Sequence, residues 1–200
     1  LIAFPKQGTL LDAPDLSEYY YDHIIAAHGT MITIGLGKRV YTICKETKKT
    51  NIILDESVTA VEFIKSDVVI CGSLNGHLII IDLENNKQQI INQKDSTGGV
   101  PNKILQNEAT TYAGFSNFGI ITQNDIRINN AYSSLAHKKN NSELQVLNLA
   151  YKNMKLASSF SDGTVKVWDV RKFNKNYAEF KENGDSARGL QFFTNNRLIS

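Results

Sequence analysis

The sequence is poor in cysteine and in clustered charge, and each shortage excludes a class of protein. The two cysteines in 200 residues, Cys44 and Cys71, both lie in apolar stretches, which argues against a disulfide framework. The formal net charge is +2, and the basic residues are scattered, whereas nucleic-acid binding requires them clustered on one face. No apolar run approaches the roughly 18 residues of a membrane-spanning helix. We therefore expect neither nucleic acid nor membrane among the partners.

Motifs for cofactors, metals and catalysis are also missing. The Gly35-Leu36-Gly37 segment precedes a predicted strand and has no helix after it, so it is not a phosphate-binding loop. Three histidines, His23, His28 and His77, have no metal-ligand spacing with acids or cysteines. These absences predict a protein without cofactor or metal.

Internal repetition is the strongest feature that is present. Three segments end alike, with the letters NGHLIIIDL, FGIITQNDI and DGTVKVWDV. Their glycines are spaced by 43 and then 44 residues, and so are their aspartates. The positions are Gly76, Gly119 and Gly163, and Asp82, Asp125 and Asp169. A weaker copy, RVYTIC, precedes them. A step of about 40–45 residues is typical of the four-stranded blade of a β-propeller.

Within each repeat the pattern is that of short strands. The second repeat contains VTAVEFI, DVVICGS and HLIIIDL, which are rich in β-branched residues and separated by turn residues. Asn75-Gly76 and Asp162-Gly163 are typical hairpin turns because both residues of such a pair tolerate positive φ. The polar stretch from Glu84 to Lys103 is predicted to be a loop between blades. No long amphipathic pattern is present, so the predicted fold class is all-β.

The fourth repeat resembles the end of a WD repeat, with SSFSDGTVKVWDVRK over residues 158–172 and the Trp-Asp pair in place. In that family a histidine, a strand serine, a turn aspartate and the tryptophan form a hydrogen-bonded network inside the blade. The matching residues are His137, Ser158 or Ser159, Asp162 and Trp168. Although serine, histidine and aspartate also form hydrolase triads, no strand-turn-helix motif surrounds any serine. We expect this network to be structural and the protein not to be an enzyme.

The N-terminal segment LLDAPDLSEYYYDH resembles the lead-in of the Fizzy and Fizzy-related WD-repeat proteins, the activators of the anaphase-promoting complex, a ubiquitin ligase. The matching residues are Leu11, Asp12, Ala13, Pro14, Leu16, Tyr20 and Tyr21. Further similarities follow in order along the whole chain. The resemblance implies a substrate-recruiting adaptor in the nucleus and cytoplasm that promotes ubiquitination of cell-cycle proteins. Its implied partners are ligase subunits, degron-bearing substrates such as cyclins, and checkpoint proteins.

The residues that would bind degrons depart from the family pattern. Alignment on the tyrosine pair places Ala26 where the family has the acid that pairs with the destruction-box arginine. Ser161 and Gly163 stand where the family has two asparagines of the receptor for KEN peptides. Because alanine and glycine offer no side-chain charge or amide, the expected degron contacts are altered. A generic WD-repeat scaffold in another assembly is therefore the alternative function.

The predicted organisation is a lead-in segment over residues 1–18 and a partial WD-repeat propeller over residues 19–200. Blades are predicted to end near residues 44, 83, 126 and 170, with a fifth begun. At about 43 residues a blade, a complete family member would have seven blades. The chain thus holds four to five of them, and we expect its 200 residues alone to aggregate or to unfold with reduced cooperativity.

Overall fold

Strands make up nearly all the regular structure in the computed structural model, which describes residues 24–44, 49–91, 99–108, 110–127, 131–136, 143–172, 176–181, 186, 188–193 and 197–199. The first sheet comprises β1 (Ile25–His28), β2 (Met31–Leu36), β3 (Arg39–Cys44) and β4 (Lys49–Ile53). The second comprises β5 (Val58–Lys65), β6 (Val68–Ser73), β7 (Leu78–Asp82) and β8 (Lys87–Ile91).

The third sheet comprises β9 (Pro101–Asn107), β10 (Thr110–Phe115), β11 (Ile120–Asp125) and β12 (Ala131–Ala136). The fourth comprises β13 (Val146–Lys152), β14 (Lys155–Phe160), β15 (Thr164–Asp169) and β16 (Asn176–Lys181). A 3-10 turn, Val170–Lys172, follows β15. Two further strands, β17 (Gln191–Phe192) and β18 (Leu198–Ile199), pair with each other. Each four-stranded sheet is an antiparallel meander in which every strand pairs with the next along the chain.

The four sheets are arranged radially around their first strands. β1, β5, β9, β13 and β17 contact one another in sequence, so the first strand of each sheet is its innermost. Burial decreases outward: β5 and β6 are mostly buried, whereas β8 and β16 are mostly exposed. A separate apolar cluster fills each gap between neighbouring sheets. This arrangement of four-stranded sheets is that of consecutive propeller blades.

The predicted blade ends near residues 44, 83, 126 and 170 coincide with the third strand of each sheet, and a fourth strand lies beyond every one of them. Each sheet therefore ends one strand later than predicted. The stretch from Glu84 to Lys103, predicted to be a loop, contains β8 and the start of β9. The physical reason is that outermost strands face solvent. In β8 four of five residues are exposed, so its sequence lacks the apolar pattern of a buried strand.

A β-bulge recurs near the start of the innermost strand of three sheets. The extra residue is Thr59 in β5, Asn102 in β9 and Leu147 in β13, as shown by the shifts in pairing with the second strands. A bulge sharpens the local twist of a strand. Its recurrence shows that the second, third and fourth sheets repeat one another in register as well as in strand order.

Glycines on the second strands allow neighbouring sheets to approach closely. A Cβ added to Gly35 would lie 2.4 Å from Val58 Cγ1, and one added to Gly114 would lie 2.4 Å from Val146 Cγ1. One added to Gly72 would lie 2.8 Å from the Cβ of Pro101. In all three cases the neighbour is the first residue of the next innermost strand. The same contact therefore joins the first sheet to the second, the second to the third and the third to the fourth.

Candidate functional site

The predicted blade network is present in part in the fourth sheet. The indole Nε1 of Trp168 donates a hydrogen bond to Ser158 Oγ at 2.9 Å, and both residues are buried. Asp162 lies in the turn between β14 and β15, where its Oδ1 accepts a hydrogen bond from the backbone N–H of Thr164 at 3.1 Å. His137 lies outside the described residues. The bond from Trp168 to Ser158 joins β15 to β14 inside the blade and fixes the register of those strands.

Ser159, the other serine considered for this network, occupies a different position. Its cross-strand partner is Val165, which lines the side of the fourth sheet facing β17 and β18. It is fully buried, and no described residue forms a hydrogen bond with its Oγ. Trp168 therefore forms its hydrogen bond with Ser158 and not with Ser159.

Two of the three positions matched to degron receptors lie in the turn between β14 and β15. Ser161 is exposed, but its Oγ accepts a hydrogen bond from the backbone N–H of Gln145 at 3.0 Å. The same bond occurs one blade earlier, where Ser116 Oγ accepts from the N–H of Val100 at 3.0 Å. Gly163 is buried and has a φ of 78°, which suits glycine. Ser161 therefore ties the turn to the segment before β13.

The third matched position, Ala26, lies on β1 opposite Thr33. It is 8% exposed and packs in the cluster between the first and second sheets, whereas its neighbour Ala27 faces outward. A methyl group in this core cannot pair with a peptide cation. The seven lead-in residues between Leu11 and Tyr21 lie outside the described residues.

A polar cluster that the sequence analysis did not identify lies on the second sheet. The Nδ1 of His77 is 2.9 Å from Oε1 and 3.1 Å from Oε2 of Glu56, and the backbone N–H of His77 donates to Ser73 Oγ at 3.2 Å. Burial acts to raise the pKa of Glu56, but hydrogen bonds from Ser73, Asn75 and His77 outweigh it and lower that pKa. The cluster links the segment before β5 to the turn between β6 and β7.

The geometry of this cluster differs from that of a hydrolase triad. In a triad the serine hydroxyl contacts the histidine ring, whereas here the Ser73 hydroxyl accepts a bond from the backbone of His77. The ring of His77 instead faces the Glu56 carboxylate. No sequence motif connects Glu56 with His77, since they are 21 residues apart and on different elements.

Three ionisable groups interact along the innermost strands. Burial raises the pKa of Glu62 on β5, although the nearby charges of Lys103 and His28 and a hydrogen bond from the Phe63 N–H act to lower it. Burial lowers the pKa of Lys103 on β9, and the charge of Glu62 opposes that shift. His28, Glu62 and Lys103 lie on β1, β5 and β9, the innermost strands of three successive sheets. The pair Glu62 and Lys103 therefore places opposite, half-buried charges across a junction between blades.

The repeated aspartates close the turns after the third strands. Asp125 accepts hydrogen bonds from the backbone N–H and the guanidinium of Arg127, and Asp169 does the same with Arg171. The bonds from these arginines lower the pKa of each carboxyl to about 2. Asp82 accepts bonds from the backbone and side chain of Asn85 instead. These residues stabilise turns, which explains why the aspartates repeat.

Three observations concern other kinds of site. Across the residues that the structure describes, no group of three or more histidine, cysteine or acidic side chains is placed to hold a metal ion. In the same residues no helix is long and apolar enough to cross a membrane. Cys71 is fully buried, and burial raises the pKa of its thiol, so it is not a reactive thiolate.

Successive four-stranded meanders around shared innermost strands, with the Trp168 to Ser158 bond inside a blade, define a β-propeller of the WD-repeat type. Comparison with solved structures agrees: the chain is similar to a chain in the crystal structure of the mitotic checkpoint complex, with a TM-score of 0.78 and 19% sequence identity. The alignment covers 94% of this chain and 62% of the matched chain. This chain therefore spans less than two thirds of the length of the matched chain.

The fold is widespread, since 1047 chains of solved structures match it. No family model matches the sequence, and no curated protein matches it. The similarity to the solved chain therefore establishes the propeller fold alone. Function has to be argued from particular residues.

Proposed function

We propose that this propeller is a protein-binding adaptor in cell-cycle control, and specifically a divergent substrate-recruiting activator of the anaphase-promoting complex. The observation that carries the proposal is the order of the sequence resemblance. It begins at the Leu11 to Leu16 block and continues through every blade. The structural similarity to a chain of the mitotic checkpoint complex supports the proposed role in cell-cycle control.

Binding rather than catalysis is the proposed activity. The Ser158 hydroxyl accepts a bond from an indole N–H, and the Ser73 hydroxyl accepts one from a backbone N–H. Neither serine is paired with a histidine ring in these bonds. Both arrangements stabilise strands and turns. The proposed location is the nucleus and cytoplasm.

The environments of Ala26, Ser161 and Gly163 favour altered recognition of substrate peptides. Ala26 and Gly163 are buried, and Ser161 is hydrogen-bonded to the neighbouring segment. None of the three offers the carboxylate or amide that the family resemblance implies. We therefore propose that substrate selection by this protein does not follow the destruction-box and KEN contacts at these positions.

Co-purification tests the ligase proposal. The intact protein, tagged and expressed in its own cells, is expected to recover subunits of the anaphase-promoting complex in amounts comparable with the bait. A variant in which Leu11, Asp12 and Leu16 are all replaced by alanine tests whether the signature contributes. Failure of the unaltered protein to recover any ligase subunit would refute the ligase role while leaving the fold intact.

A generic WD-repeat scaffold is the second candidate, and the substituted degron positions favour it. Peptide arrays separate the two functions. Selective capture of peptides containing RxxL or KEN sequences would support substrate recruitment. Equal binding to those peptides and to scrambled versions, together with recovery of a different assembly from cells, would support the scaffold.

A further inference from the structure

The second and fourth sheets carry the same two turns at one edge, the turn between the first and second strands and the turn after the third strand. In the second sheet the backbone N–H of Leu83 donates to the carbonyl of Asp67 at 2.8 Å. In the fourth sheet the N–H of Val170 donates to the carbonyl of Met154 at 3.0 Å. The two turns are therefore joined in the same way, and their residues can be compared position by position.

The charge of the edge formed by these turns, here called the turn edge, reverses between the two blades. The turn edge comprises residues 65–68 and 82–85 in the second sheet, and residues 152–155 and 169–172 in the fourth. It has one lysine and three acids in the second sheet, but three lysines, one arginine and one aspartate in the fourth. That aspartate, Asp169, is already paired with Arg171. The turn edge of the fourth sheet therefore presents a net positive charge.

An exposed apolar side chain lies among these cations. Met154 is 51% exposed, at the position that Asp67 occupies in the second sheet. Its φ of 61° costs energy for a residue with a side chain, and glycine would avoid that cost. The hydroxyl of Tyr151 donates a hydrogen bond to its Sδ at 3.3 Å, which orients the thioether. Met154 therefore presents a side chain that the turn itself does not require.

The same edge is exposed in blades that are enclosed on both sides. Arg127 follows Asp125 in the third sheet as Arg171 follows Asp169 in the fourth, and described sheets pack on both sides of the third sheet. The side chains of the two arginines are 73% and 71% exposed. The turn edge is therefore an outer surface of the propeller, and what differs in the fourth sheet is its chemistry.

We propose that the turn edge of the fourth sheet binds an acidic protein segment that carries an apolar side chain. The cations attract the acids, and the apolar side chain covers Met154, whose flexible thioether adapts to the shape of a partner. A protein fits better than a nucleic acid, because a nucleic acid is bound by cations that track its phosphates, and a methionine contributes nothing to phosphate contacts. The turn edge lies at the opposite end of the sheet from Ser161 and Gly163, so the proposal is independent of the degron positions and of the ligase role.

Fluorescence anisotropy with the intact protein tests this binding. The probe is a labelled peptide of sequence EDELFEDE, and the control peptide QNQLFQNQ has the same length and apolar residues without the charges. The charged peptide is expected to bind at least about tenfold more tightly than the control, since several weak exposed ion pairs together reach that ratio. Added salt is expected to reduce the difference, because it screens exposed charges.

Two double variants locate the binding. Lys152→Glu combined with Lys172→Glu is expected to weaken binding of the charged peptide at least about tenfold. Arg171 is left in place because its bonds to Asp169 stabilise the turn. Lys65→Glu combined with Lys87→Glu is the matched control, since it makes the same change in net charge beside the turn edge of the second sheet. It is expected to change binding by less than about twofold.

Met154→Gly separates binding from stability. It is expected to stabilise the fold, because glycine adopts the positive φ freely, and yet to weaken binding of the charged peptide about fivefold through the lost apolar contact. Equal binding of the two peptides, or binding of neither, would overturn the proposal. An equal loss in the two double variants, or unchanged binding in Met154→Gly, would overturn it as well. Tighter binding of a short oligothymidylate than of the charged peptide would show a nucleic-acid surface instead.

Discussion

The close contact between Gly114 and Val146 predicts that the third and fourth sheets tolerate no added side chain at residue 114. A methyl group added at Gly114 would lie 2.4 Å from Cγ1 and 2.8 Å from Cβ of Val146, well inside van der Waals contact. Neither atom can move without disturbing the core. Val146 is fully buried, its β-branched side chain is restricted in χ1, and it lies at the start of the innermost strand of the next sheet. Gly114→Ala therefore has to push the third and fourth sheets apart.

The expected cost is at the upper end of the range for overpacking a core, about 3 kcal/mol. The measurement is urea and thermal unfolding of the intact protein followed by circular dichroism. Gly189→Ala is the matched control, because a Cβ there meets nothing within 4 Å. It is expected to change stability by less than about 1 kcal/mol.

A double mutant tests whether the cost arises from this contact. Val146→Ala removes Cγ1, the atom nearest the new Cβ, but keeps the Cβ of residue 146 at 2.8 Å; alone it costs about 2 kcal/mol as a cavity. Combined with Gly114→Ala, it is expected to cost less than the sum of the two single changes, because the shorter of the two close contacts is gone and the one to Cβ remains. Additivity within about 0.5 kcal/mol would refute the reasoning, since residues in contact couple and independent ones do not.

Three other predictions follow from single contacts. Ser158→Ala leaves the buried indole N–H of Trp168 without its partner and is expected to cost about 1–3 kcal/mol in urea unfolding; an unchanged midpoint would contradict the role of that bond. Met154 has a φ of 61° in the turn between β13 and β14, so Met154→Gly is expected to stabilise the protein by about 1 kcal/mol, and a loss of Tm would contradict this. NMR titration of Asp169 is expected to give a pKa of about 2, and Arg171→Gln should raise it toward 3.8. Because that pKa is lowered in the folded state, the stabilisation is present at neutral pH and is lost as pH falls below 4 toward 2; a pKa unaffected by Arg171→Gln would contradict the assignment.

The inner three strands of each blade could be predicted from the sequence because their residues face a core. Burial on both faces of β6 and β7 selects β-branched residues, and the turn between them requires a residue such as Gly76 at positive φ. The fourth strand could not be predicted in the same way. In β8 the side chains face solvent, so nothing in the pattern of polar and apolar residues marks the strand.

Most contacts between distant residues could not be predicted from the sequence. Glu56 and His77 meet because the segment before β5 packs beside the turn between β6 and β7, and that proximity belongs to the fold rather than to a motif. The glycine contacts left a signal, since Gly72 and Gly114 are 42 residues apart, one blade repeat. That signal becomes informative only when the structure shows what each glycine touches.

We propose that this propeller acts by binding a ligase assembly rather than by catalysis. Size-exclusion chromatography with light scattering tests it most directly, with the intact protein and purified anaphase-promoting complex mixed in equal molar amounts. The two are expected to elute together, with the mass of one propeller protein added to the complex. Separate elution of both components at micromolar concentration would contradict it.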